Sequence, residues 1–150
     1  MKQVVVLLPN IHSTHNVGSF FRTADGAGVS KIVLSGFTAR PDQNDKIGKV
    51  ALGAEEVVPW EYMEDPLDAI AHYRSEGFQI VAVEQTANSV DYREADYAEK
   101  VLLIFGNERT GVPKEESVVA DLAVHIPMHG QKESLNVSIA GGVMLYHVCN

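Results

Sequence analysis

The 150-residue chain has a single cysteine, Cys149, so no internal disulfide can form. That suits a reducing compartment. Long apolar runs are missing too. The first, Val4 to Leu8, stops at Pro9, too short for a signal-peptide core or a membrane span. The expectation is a cytoplasmic protein with no membrane partner. Internal repeats, linkers and low-complexity tracts are absent, which leaves one domain over residues 1–150, long enough to bury a single core. Six histidines are present, with His12 and His15 three apart. No Cys or further His follows at ligand spacing, so no metal site is expected.

Positive charge is also scarce. Twelve Lys/Arg against twenty Asp/Glu give a net charge of −8, the wrong sign for a nucleic-acid partner if it were spread evenly. It is uneven. Residues 1–50 hold six Lys/Arg and three Asp/Glu, residues 51–100 three and twelve, residues 101–150 three and five. The basic third contains Arg22, Lys31, Arg40, Lys46 and Lys49. Two readings stay open: a local basic face on an acidic protein, or scatter without meaning.

What is present is an alternation of apolar runs and helical patterns. Gln3–Leu8, Lys31–Ser35, Glu56–Trp60, Phe78–Val83, Val101–Phe105 and Leu122–Ile126 read as strands. A helix follows Asn16 as its cap and stops at Gly28. Ile47–Leu52 and the residues after Pro113 form short helices, and Gly36–Asp45 a loop. Asp65-Pro66 starts a helix that runs to Ser75. Leu135–Val148 is the final helix, interrupted by Gly141-Gly142 at about 1 kcal/mol per glycine relative to alanine. Close packing at a dimer interface or simple tolerance would account for that pair. Strands that are near-continuous apolar runs, alternating with helices, predict an α/β domain: a mostly parallel sheet covered by helices on both faces.

Three segments set polar groups beside glycines: NVGSFFRTADGAG (16–28), LIFGNERTGVP (103–113) and IPMHGQKESLNVSIAGGVMLY (126–146). The second is neither a Walker loop nor the dinucleotide fingerprint. A glycine at a strand's carboxyl end lets a ligand approach backbone amides closely. Taken alone, each polar residue has a plain structural role beside a chemical one. Arg22 could be a surface ion-pair partner, Asn16 a helix cap, Glu108 a helix-start carboxylate before Pro113, and Ser134 and Asn136 caps of the last helix.

In order and spacing the three segments resemble the motifs of the SpoU/TrmH group of the SPOUT superfamily. The first matches through Asn16, Gly18, Arg22, Thr23, Ala24 and Gly28-Val29. The second matches through Phe105, Gly106, Asn107, Glu108, Gly111 and Val112, and the third through Ile126–Met128, Gly130 and Ser134–Ser138. The resemblance implies S-adenosylmethionine-dependent 2′-O-ribose methylation of RNA (tRNA or rRNA), with S-adenosylhomocysteine as product. It also implies a C-terminal trefoil knot and a homodimer built on the first-motif and final helices. It assigns Arg22, Asn16, Glu108, Ser134 and Asn136 to catalysis. Glu84, Gly106, Asn107, Gly111, Ile126, Met128, Ser134 and Leu135 fall to the cofactor. Glu84 and Gln85 contact the ribose or stay exposed. A guanidinium stays protonated, so Arg22 is expected to stabilise the developing alkoxide and position a phosphate. The chain resembles the minimal members, some of which modify the tRNA wobble nucleotide. Two other classes remain: a non-catalytic RNA-binding or assembly module that keeps the fold, and a methyltransferase acting on a small molecule or protein. Intact Arg22, Glu108, Ser134 and Asn136 weigh against the first.

Overall fold

Runs of Val, Leu and Ile become strands because both faces of the sheet they form are covered. The computed structural model describes residues 2–150. Its strands are β1 (Gln3–Pro9), β2 (Lys31–Ser35), β3 (Trp60–Met63), β4 (Gln79–Val83), β5 (Val90–Asp91), β6 (Lys100–Phe105) and β7 (Leu122–His125). All pair in parallel, in the order β3-β2-β1-β6-β4-β7-β5. The central strands are buried on every residue but the first or last. The helices are α1 (Thr14–Ala27), α2 (Lys46–Ala51), α3 (Pro66–Ser75), α4 (Lys114–Val119) and α5 (Val137–Val148). Val4, Val6 and Leu8 of β1 face a core with α1, α2 and α5, while Val5 and Leu7 face a second core with α3. The α/β, doubly covered parallel sheet expected from the sequence is therefore present. No helix among the described residues is long and apolar enough to cross a membrane.

The strand order changes direction between β1 and β6. From β1 the chain moves out to β2 and β3, and from β6 it moves the other way to β7. Ligands of open α/β sheets bind outside the carboxyl ends of the strands at such a point. Two more features serve it. The loops after β6, β4 and β7 leave three adjacent strands. And α5, although it follows β7, returns to pack on α1, so the 126–136 connection crosses the carboxyl ends of the sheet.

Two expectations need correction. Glu56–Trp60 is not a strand. Ala54–Glu56 forms one 3₁₀ turn, and β3 begins at Trp60. Ala54 and Val58, four apart, are both buried while Val57 is exposed, a helical spacing rather than a period of two. The two-residue β5 is too short to register as a pattern. The second correction is that the final helix begins at Val137 rather than Leu135, and within it Gly141 of the Gly141-Gly142 pair has a packing reason inside the chain. A Cβ on Gly141 would lie 2.4 Å from Phe20 Cε1 of the same chain, and Phe20 already packs edge-on against Phe105 at 5.0 Å. A Cβ on Gly142 would meet only Thr23 Cγ2, at 3.9 Å.

Gly141→Ala is therefore expected to destabilise by roughly 1–3 kcal/mol through overpacking. Gly142→Ala should come out more stable than Gly141→Ala because it gains helix propensity without a clash. Urea unfolding of the two variants checks the order. A second prediction concerns Glu116 on α4, 4% exposed with no hydrogen-bond partner for Oε1. Burial, reinforced by Glu115 and Asp65, pushes its carboxyl up to about 7 from an ordinary 4.5. Between those values the folded chain keeps a proton that the unfolded chain releases, so stability falls as pH rises through that window. Glu116→Gln should stabilise the fold at pH 8 by on the order of 3 kcal/mol, read as a higher melting temperature, and hardly change it at pH 4.

Candidate active site

The loop after β6 folds back on itself. Asn107 and Gly111 exchange backbone hydrogen bonds in both directions, and Asn107 Oδ1 accepts from the Arg109 and Thr110 amides at 2.7 and 3.2 Å. A Cβ on Gly106 would lie 2.5 Å from the Gly111 carbonyl carbon, and Gly111 has φ +73; both positions require glycine. Glu84, just past β4, holds the far end: its Oε1 accepts from the Val112 amide at 3.1 Å. Burial pushes the Glu84 carboxyl up, and the Val112 donation offsets part of that.

This folding presents Glu108 to the start of α1. Its Oε1 accepts from the His12 amide and its Oε2 from the Ser13 amide, each at 2.9 Å, while Asn16 Nδ2 donates to Oε2 at 2.9 Å. Burial alone would raise this carboxyl. The donations from His12, Asn16, its own amide and Ser13 outweigh burial and hold it below the usual 4.5. A helix amino end also favours an anion at this place.

Asn16 is the link to the third segment. Its Oδ1 receives Asn136 Nδ2 at 3.5 Å, while Asn136 Oδ1 caps α5 by accepting from the Ser138 and Ile139 amides at 2.9 and 3.3 Å. One chain of hydrogen bonds thus joins α5, α1 and the Gly106–Val112 loop. Asn16 is buried and is not the cap of α1. That place belongs to Ser13, whose Oγ accepts from the Asn16 amide at 3.1 Å. Asn136 is both a cap and a member of the cluster, and α5 begins at Val137 rather than Leu135.

The other expected residues divide into two groups. Ile126, Met128 and Leu135 lie half-buried along the 126–136 connection, and Ser134 is exposed there. Arg22 stands apart. It is exposed and makes no hydrogen bond or ion pair among the described residues. Six positions beyond Asn16, it sits about 120° around α1 and about 9 Å along it, on the outer face with His15 and Ser19. Among the six cations of the basic third, Lys31 pairs with Glu61 at 3.3 Å and Arg40 with Asp42 at 3.2 Å. Arg22, Lys46 and Lys49 carry no such partner among the described residues. No group of three or more His, Cys, Asp or Glu among the described residues could hold a metal ion.

The sequence reading missed three contributors. Asn10 adopts φ 54, and its carbonyl accepts from Asn107 Nδ2 at 2.8 Å. Thr38, 3% exposed, accepts from the Ile11 amide and donates to the Leu8 carbonyl. Ser13 is the third. The signals were present: an Asn directly after a strand tolerates the left-handed region, and Ser13 opens a helical pattern.

Over nearly its whole length the chain is similar to known proteins. A sequence model of the SpoU rRNA Methylase family matches residues 3–146. The chain is 34% identical over 145 residues to the tRNA (guanosine(18)-2'-O)-methyltransferase of Aquifex aeolicus, covering 97% of this chain and 68% of that protein. It is 35% identical over 145 residues to the protein of the same name from Escherichia coli strain K12, covering 95% of this chain and 61% of that one. A crystal structure of the AdoMet-bound rRNA methyltransferase from Sinorhizobium meliloti aligns with a TM-score of 0.89 at 35% identity, covering 97% of this chain and 55% of that one. The chain thus spans roughly three-fifths of the length of these relatives.

The lowered Glu108 carboxyl sets a pH test. Its contribution to stability is present above the ordinary 4.5 and is lost as pH falls through its folded-state value. Glu108→Gln should cost roughly 1 kcal/mol at pH 7, the low end of the range for a partly exposed acceptor. Urea unfolding from pH 7 to pH 3 should show the difference from the parent shrinking towards the acid end.

Proposed function

Because the chain belongs to the SpoU rRNA Methylase family, we propose that residues 1–150 act as one methyltransferase domain that transfers a methyl group from S-adenosylmethionine to a ribose 2′-hydroxyl of RNA. The observation that carries this reading is the hydrogen-bond chain Glu108–Asn16–Asn136 at the switch point of the sheet. It joins the three segments that carry the family's pattern.

The residues present suit the cofactor. Loops from three adjacent strands, after β6, β4 and β7, stand side by side at the carboxyl edge. The Gly106–Gly111 turn packs tightly on itself and on Glu84, and the 126–136 connection supplies the half-buried Ile126, Met128 and Leu135. Backbone groups beside apolar walls fit an adenosine. When bound, S-adenosylmethionine supplies an electrophilic methyl on a cationic sulfur, so the protein's task is to orient the hydroxyl and ease the loss of its proton.

Glu108 is a poor candidate for taking that proton. Its carboxylate is committed to three N–H donors and is less basic than an ordinary one. Its work is to hold Asn16 and the start of α1. Asn16 and Asn136 fix each other's amide orientation. Arg22 is permanently charged and suits a phosphate and a developing alkoxide. Ser134 completes the group from the exposed part of the connection.

A homodimer explains how Arg22 joins a cluster it does not face. α5 is apolar on nearly every side, and Ile139 and Tyr146 stay 56% and 52% exposed. They border the outer face of α1, where Tyr146 Oη approaches Gly26. A second copy covering that stripe would bury it and let Arg22 of one protomer serve the cluster of its partner. We assign the trefoil knot to the 126–136 crossing and α5, and tRNA or rRNA met in the cytoplasm as the substrate class.

Purified protein, labelled S-adenosylmethionine and bulk tRNA or rRNA test the reading. Label is expected in 2′-O-methylnucleosides. Arg22→Ala should lower transfer at least about 100-fold, the scale for losing a charge-stabilising group, with cofactor affinity unchanged. Cofactor binding without transfer to either RNA pool would overturn the RNA assignment.

A further inference from the structure

The loop between β2 and α2 takes no part in the chemistry described above, yet it is built with care. Phe37 is 57% exposed. An aromatic side chain left this open loses the burial that usually places it inside. Its position is nonetheless fixed. The Phe37 amide donates to Asn10 Oδ1 at 3.0 Å, and Tyr62 Oη donates to the preceding carbonyl, Gly36, at 2.7 Å. The following residue, Thr38, is buried and anchored to β1. The His12 ring lies 4.7 Å from the Phe37 ring, tilted by 47°, and the amide of that same His12 donates to Glu108. The exposed ring is thus one residue's width from the catalytic cluster.

Beside Phe37 opens a cleft of about 310 Å³ whose lining includes Arg40, Gln43, Asn44 and Tyr62. Arg40 Cζ lies 4.7 Å from the centre of the Tyr62 ring, with Nε and Nη2 held by the Asp42 carboxylate at 3.2 Å. Asn44 spends its carbonyl oxygen on the Lys46 amide, which leaves its NH₂ as a donor towards the cleft. An aromatic face with carboxamides and a guanidinium is the chemistry that holds an unstacked nucleobase: the ring stacks, the amides meet base edges, and the cation sits near the phosphate.

We propose that Phe37, backed by His12, is the stacking platform for a nucleobase of the RNA substrate, and that the adjoining cleft, with Gln43 and Asn44, reads that base. The proposal rests on the RNA reading of the site. The platform binds the nucleotide that is methylated or its direct neighbour, because His12 spans the distance between the ring and Glu108.

Full-length parent, Phe37→Ala and Phe37→Trp separate the two. Equilibrium binding of bulk tRNA and rRNA is measured directly, alongside cofactor binding and steady-state methyl transfer. Phe37→Ala is expected to weaken RNA binding, and to raise KM for RNA, by roughly 5- to 100-fold, the scale of one lost base–aromatic stack. Cofactor affinity should stay unchanged, and Phe37→Trp should restore most of the loss. If the parent methylates RNA and Phe37→Ala matches it in RNA affinity and KM, the platform is overturned and the methyltransferase reading stands. If the parent transfers no methyl but Phe37→Ala still loses RNA affinity, the platform stands and the methyltransferase reading fails. Absence of RNA binding by the parent overturns both.

Discussion

The carboxylate of Glu108 set against the amino end of α1 is the interaction on which the rest of the site depends. A helix start leaves backbone N–H groups without partners inside the helix. Ser13 satisfies one of them at Asn16. Glu108, from a loop 95 residues further on, takes the amides of His12 and Ser13 and the side chain of Asn16. A side chain from the same segment could have capped α1 just as well. Using one from the loop after β6 ties the two arms of the sheet together where the strand order reverses. The attraction also sets the charge state, since several donors and the helix field favour the anion over the neutral acid.

From that anchor, precision spreads in two directions. Towards the cofactor side, Glu108 is held only if the Gly106–Val112 loop is folded, and that fold depends on the Asn107–Gly111 pairing and on Glu84. Towards the proposed RNA platform, Asn107 Nδ2 reaches the carbonyl of Asn10, whose own side chain fixes the Phe37 amide. Asn10 and Asn107 therefore tie together the two loops to which different partners are assigned above. Such a tie suits a reaction in which the donor is already activated and geometry is most of what the protein adds.

Much of this was legible in the sequence. The strands were, because a buried parallel strand is a continuous apolar run. The three polar segments were, because glycine beside Asn, Glu and Ser has few other reasons to recur. What failed had physical causes. Asn16 read as a cap because Asn is a good one, but the choice between Asn16 and Ser13 was made by Glu108, which no local pattern reveals. Glu56–Trp60 read as a strand from Val57-Val58, while burial of Ala54 and Val58 on one side favoured a turn. The role of Asn10 lies in a positive φ and a contact 97 residues away. Arg22 was legible as a residue but not in its direction, since helical phase relative to the core decides which face it takes.

The acidic character of the chain also looks different in three dimensions. An excess of carboxylates opposes RNA only where those carboxylates face it. The most acidic stretch, residues 51–100, divides between the two faces of the sheet: α3, with Asp68, packs opposite α1, α2 and α5, while Glu55 and Glu56 lie in the 3₁₀ turn that packs against α1 and α2. On the α1 side the cations without ion-pair partners among the described residues, Arg22, Lys46 and Lys49, lie on two helices that pack against each other. Phosphate contacts act over about a Debye length, roughly 8 Å at physiological salt, so the local charge around a phosphate matters more than the net charge of the chain. Three such charges make a weak grip by the standards of RNA-binding proteins. Under the pairing and stacking proposed above, a second copy would double these cations and the Phe37 ring would add binding where charge falls short.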